Sequence, residues 1–171
     1  MPYIEESIGA PPGDIQEITS LDLIRMDGHS TLTTYRDSPL EANTDMTPGY
    51  SMERWIRLTV ESPFLYVSNV RFWMPGLTLG IGWTCKYGVS ATYFQPTSSQ
   101  SAYALEPIPV VRPTDPNILD DTVDGPGPWT SSWIVLQASV NGDAPPGPVM
   151  GFDPDTGLPI TLEYQFEWEQ V

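Results

Sequence analysis

From residue 160 to the end of the chain, apolar and polar side chains alternate. Ile160, Leu162, Tyr164, Phe166 and Trp168 hold one phase; Thr161, Glu163, Gln165, Glu167 and Glu169 hold the other. A period of two is that of a strand with one dry and one wet face, whereas a 3.6-residue repeat would scatter the rings around a helix. The pattern predicts a terminal strand lying deep in a sheet. Trp55–Val60 repeats it, with Ile56, Leu58 and Val60 on one face. Leu65–Met74, bracketed by Pro63 and Pro75, points Leu65 and Val67 inward and, after a change of phase, Phe72 and Met74. Leu77–Trp83 alternates around Gly80 and Gly82 and can run on through Tyr87; glycines inside a strand point to a bulge or a close backbone approach. Val89–Phe94 and the apolar run Ser132–Val140 predict two further strands, and Thr31–Tyr35, after the Asp27-Gly28 turn, another.

The segments between these runs read as connections. Ala10-Pro11-Pro12-Gly13 cannot be regular structure. Near it, Asp14 and Glu17 have capping-box spacing, which competes with a strand over Leu21–Met26; the reading adopted is an extended arm over 1–19, followed by a strand. Residues 37–51 form a polar loop. Ala102–Val111 is extended, and Pro107 with Pro109 confines it to a sheet edge. Residues 112–131, with four prolines and four aspartates, form a long connection; Asn141–Pro148 and Asp153–Gly157 are turns. The expected fold is all-β: a single antiparallel β-sandwich or jelly roll of about eight strands over residues 20–171, with long Pro/Gly-rich loops.

Composition supports this. The 171 residues include 19 Pro and 14 Gly, more than helices or central strands accommodate. With 22 acidic against 7 basic residues the net charge is -15, a field that repels phosphate backbones and anionic membranes; neither nucleic acid nor membrane is an expected partner. The start, Met1-Pro2-Tyr3-Ile4-Glu5-Glu6, has no basic and apolar signal pattern, and no apolar run approaches the ~20 residues of a membrane span. Folding in a reducing, cytosol-like compartment is therefore expected. Cys85 is the one cysteine, so no intrachain disulfide forms.

Candidate chemistry is sparse. Glu167 and Glu169 would project from the same side of one strand, about 7 Å apart, which is near glycosidase spacing. Any wet strand face gives the same geometry, so they read as a solvated face. His29 is the one histidine, and no G-x-S-x-G elbow accompanies Cys85 or any serine. Zinc lacks ligands. Asp153 and Asp155, before Gly157, echo the start of a calcium loop, and Asp115, Asp120, Asp121 and Asp124 crowd one connection. Without the rest of the EF-hand pattern, turn formation beside Pro and Gly is the better reading, and no metal or cofactor is expected. Trp129, in Gly125-Pro126-Gly127-Pro128-Trp129, is expected outside any strand as a contact residue. Tyr3 and Ile4 are the expected contacts in the arm.

Asn69-Val70-Arg71-Phe72-Trp73-Met74-Pro75-Gly76, Tyr87-Gly88-Val89 and Ser132-Trp133-Ile134-Val135-Leu136-Gln137-Ala138 give the chain, over residues 55–171, a further character. So do Phe152–Gly157 and Leu162–Phe166. In these segments it resembles small β-rich structural proteins encoded in the virion modules of tailed bacteriophages. No catalytic or binding residues come with the resemblance. It implies a non-enzymatic virion protein assembled in the host cytoplasm: a head decoration or minor capsid protein attached to major capsid or tail/neck subunits. A homo-oligomer, a trimer on an icosahedral head, is the implied assembly. The alternatives are a neck or tail accessory protein and a carbohydrate-binding module for host attachment. The latter requires an exposed patch of coplanar rings. A third reading, a small hydrolase, requires a cleft with two otherwise unpaired carboxylates.

Overall fold

The structure, a computed structural model, describes residues 2–18, 48–75, 77, 81–119, 121–144 and 165–170. Among them every regular element is a strand: β1 (Pro2–Ile8), β2 (Asp14–Ile18), β3 (Gly49–Tyr50), β4 (Arg54–Val60), β5 (Tyr66–Trp73), β6 (Trp83–Ser90), β7 (Glu106–Pro107), β8 (Val123–Asp124), β9 (Trp129–Thr130), β10 (Trp133–Val140) and β11 (Gln165–Gln170). An eight-stranded antiparallel sheet runs β2-β1-β4-β10-β6-β7, with β3 beside β10 and β9 beside β4; a three-stranded sheet runs β11-β5-β8.

Alternation sets the core. Ile4, Ile56, Leu58, Val60, Ile134, Leu136 and Ala138 point to one face of the large sheet and pack with Val67, Val70 and Phe72 of the small one. The core therefore joins both sheets. Glu6 stands opposite Ile56, and Arg54 opposite Leu136, so an ion pair of 3.3 Å lies on this apolar face, each partner 1% exposed. Removing one member of such a pair leaves an uncompensated buried charge.

Several expectations change here. Residues 2–18, expected as an extended arm, form a hairpin that lies within the large sheet, with β1 between β2 and β4. The Ala10-Pro11-Pro12-Gly13 segment is its turn, closed by a Gly13 N–H bond to the Ala10 carbonyl at 2.8 Å. Gly9 and Gly13 take positive φ there (82° and 80°), which side-chain-bearing residues seldom adopt. Asp14 and Glu17 belong to β2, not to a helix start. Leu65, expected inward, is 68% exposed just outside β5. Of the strand expected from Leu77, residues 78–80 lie outside the described residues; Ile81 and Gly82 make a turn, and β6 begins at Trp83. Val89–Phe94 does not form a separate strand: β6 ends at Ser90 and the chain leaves the sheet.

The change of phase within β5 has a local cause. Arg71 faces Glu167 and Ser68 faces Glu169, so two β5 residues, Asn69 and Val70, oppose one on β11. This is a β-bulge, and Asn69 takes φ 54° within it. Val67 and Phe72 both reach the core only because the extra residue resets the alternation. The alternating C-terminal segment is a strand over 165–170, bordered by β5 and, among the described strands, by no other. The faces of its side chains, including Glu167 and Glu169, lie outside the described residues. So do Leu21–Met26, His29, Thr31–Tyr35, Asp120, Asp153 and Asp155.

Candidate functional site

The strands that line the core also carry a second apolar surface on their opposite face. In β4, Trp55 is out of phase with Ile56 and Leu58; Ser7 of β1 and Val135 of β10 flank it, and Gly88 of β6 continues the row. Trp55, Val135, Trp133 and Ala104 form a buried cluster, with Tyr93 and Tyr103 packed against it. Burial on both faces of the sheet explains why β10 reads Trp-Ile-Val-Leu without a polar break.

The segment from Ala91 to Leu105 makes this burial possible by folding across the outer face. Trp55 is 0% exposed beneath it. Tyr93 and Tyr103 each meet Trp55 edge-on with centroids 5.3 Å apart, at interplanar angles of 82° and 69°. Phe94 stacks on Tyr103 at 5.3 Å and 16°, and Trp133 lies 5.3 Å from Tyr93. These are the edge-to-face and stacked arrangements that the ring quadrupole favours. Gly88 is where the segment comes closest, since a β-carbon there would run into the Tyr103 carbonyl oxygen. Of the glycines the sequence offers for such a contact, Gly82 makes one of its own, where a β-carbon would run into the Ala144 backbone N, and Gly80 lies outside the described residues; the approach by this segment falls on Gly88.

Polar pins hold the segment down. The buried Gln137 amide donates to the carbonyls of Ser51 (2.9 Å) and Ser99 (2.7 Å) and accepts from Ser101 N–H at 2.8 Å. The Ser101 hydroxyl accepts from the N–H groups of Tyr103 (3.1 Å) and Ala104 (2.9 Å). Glu53, also buried, accepts from Trp55 Nε1 at 3.1 Å and Thr97 N–H at 3.3 Å. The Tyr93 phenol donates to the Gly9 carbonyl at 2.6 Å, tying the segment to the hairpin turn. Burial above all raises that phenol above its ordinary value; the Ser7 hydroxyl works against the rise, and the carboxylates of Glu6, Asp14 and Glu53 add to it.

At the other margin, Arg57 lies 4.5 Å above the Trp133 ring and donates to Glu5 at 2.7 Å. A cation is thus held between an aromatic face and a carboxylate. The outermost members remain accessible: Phe94 is 44% exposed, Leu105 57%, and Tyr93 and Tyr103 are half-buried. The arrangement is a rigid aromatic ledge with an acidic rim. It presents rings and fixed hydrogen bonds.

The residues singled out from sequence lie elsewhere. Ile4 belongs to the core between the sheets. Tyr3 is half-buried on the outer face, where partial desolvation, then the Glu5, Glu61 and Glu17 carboxylates, raise its phenol. Trp129, expected outside any strand, sits in β9 opposite Val60 and packs on the core. Asp115, Asp121 and Asp124 are exposed, and among the described residues no group of three His, Cys, Asp or Glu could hold a metal ion. Cys85 is buried in the core, and burial pushes its thiol up to about 12. The ledge itself was missed, although Trp55 on the polar phase of an alternating strand and the Tyr93-Phe94 pair were signals for it. Compared with protein-family models, with curated proteins and with solved structures, the chain matches none of them.

Proposed function

We propose that this chain is a non-enzymatic structural protein of a tailed-phage virion, a head decoration or minor capsid protein that attaches to neighbouring subunits. One observation carries the reading: the most elaborate construction outside the core is an accessible aromatic ledge braced by buried hydrogen bonds. Aromatic rings on a preorganised support lose little freedom on association, and such residues are enriched at protein interfaces. The acidic surface suits an outward position on a particle better than one against packaged DNA. A β-sandwich body is part of the proposal, supported by a core that draws side chains from both sheets. Many copies on one particle would turn modest contacts into firm attachment.

The rival reading as a carbohydrate-binding module needs ring faces lying side by side. Phe94 and Tyr103 instead cover one another, and Trp55 takes the edges of its neighbours. The test is mass spectrometry of gradient-purified particles produced by the genome that encodes the chain. The chain should co-purify at a fixed ratio to the major capsid protein. Its presence in the lysate but not on the particles would overturn the reading.

A further inference from the structure

We infer that the ledge formed by Tyr93, Phe94, Tyr103 and Leu105 docks a cationic, partly apolar segment of a partner protein, with an arginine of that segment lying on the Phe94 ring. This rests on the attachment role proposed above and adds to it the surface and the chemistry of the occupant.

Three observations select that occupant. The first is charge complementarity. Against 22 acidic residues the chain has 7 basic ones; on the strands beneath the ledge Arg54 is engaged with Glu6 and Arg57 with Glu5, and Lys86 of β6 is exposed. Asp14 and Glu106 are exposed in the hairpin and beside Leu105. A second copy would bring the same negative field and be repelled, whereas a cationic segment is drawn in.

The second is an arrangement within the same face. The Arg57 guanidinium rests 4.5 Å from the centre of the Trp133 ring while donating to a carboxylate 2.7 Å away. The chain's own arginine thus already uses the recognition chemistry that a partner's arginine would repeat on Phe94. The third is shape. Phe94 and Leu105 offer accessible apolar surface, while Glu53 and Gln137 fix the backbone beneath, so the ledge need not reorganise to receive a chain.

Fluorescence anisotropy with the full chain and a labelled short peptide of arginine, leucine and proline tests this, beside peptides with arginine replaced by glutamate or by serine. The arginine peptide should bind saturably at one site, and the other two should not. Phe94→Ala should weaken it about tenfold and Phe94→Leu by nearly as much, since leucine keeps the apolar area but lacks the ring. A single cooperative urea unfolding transition would show that both variants are folded. Equal binding to wild type and Phe94→Ala would overturn the inference, as would absence of binding. So would sedimentation or oligosaccharide titration showing that a second copy or a glycan, and not the peptide, depends on Phe94. The two proposals fail separately: attachment of Phe94→Ala chains to particles at wild-type levels would sink the docking surface alone, whereas absence of the chain from particles would sink the virion role.

Discussion

Asn69 adopts φ 54° in the middle of β5, a conformation that costs most side chains about 1 kcal/mol or more and that asparagine tolerates comparatively well. Asn69→Gly is expected to leave stability unchanged or slightly raised, while Asn69→Val, branched at the β-carbon, should lose about 2 kcal/mol. Urea unfolding midpoints distinguish the two, and equal losses would show that the asparagine side chain, not the backbone, holds the bulge. Cys85 makes a second claim at this scale. Its thiol ordinarily titrates near 9.0, and in the folded protein near about 12. Between those values the unfolded chain has released the proton and the folded one has not, so stability should fall as pH rises through that window and be unaffected below it. Comparing alkaline unfolding of wild type and Cys85→Ala isolates the contribution. A thiol reagent at pH 8 should label the native protein slowly and the urea-unfolded protein at once.

Among the elements, the Ala91–Leu105 segment depends most on particular side chains. It has little regular structure, and its order comes from Gln137, Glu53, Ser101 and the close approach over Gly88. Gln137→Leu keeps the volume but strands the Ser51 and Ser99 carbonyls and the Ser101 N–H, an expected loss of about 1–3 kcal/mol. Chymotrypsin should then cut after Phe94 or Tyr103 well before the rest of the chain is digested. If cleavage there stays as slow as in wild type, the ring contacts alone hold the segment. Alternation made β4 and β10 legible, because each has an unbroken apolar phase. The two-residue strands β3, β7, β8 and β9 carry no period to read and exist only because a longer strand offers them an edge. From sequence the hairpin of β1 and β2 reads as an arm for a related reason. Its polar residues, Glu5 and Glu6, point to opposite faces, and Glu6 is acceptable inside only because Arg54 arrives from β4.

For the whole molecule, a net charge of -15 on one small body means self-repulsion, relieved where a cation is close and screened by salt elsewhere. Raising sodium chloride from low to roughly physiological ionic strength and beyond, where the Debye length falls below about 8 Å, should raise the thermal midpoint measured by calorimetry. A midpoint that falls with salt would mean that the ion pairs of Arg54 and Arg57 outweigh the repulsion. The same charge bears on assembly, since copies meeting through their acidic faces would be disfavoured and contact with a cationic neighbour favoured.

The chain by itself determined the class of structure and the main dry faces, because alternation and proline placement are local constraints that any fold of these residues must meet. It also determined the sign of the field around the molecule. Which residues face one another was decided only in three dimensions: the ledge unites Trp55, Tyr93, Phe94, Tyr103 and Trp133, drawn from two strands and a loop. Register and loop closure bring such residues together, and both depend on pairings between distant segments that no local period encodes.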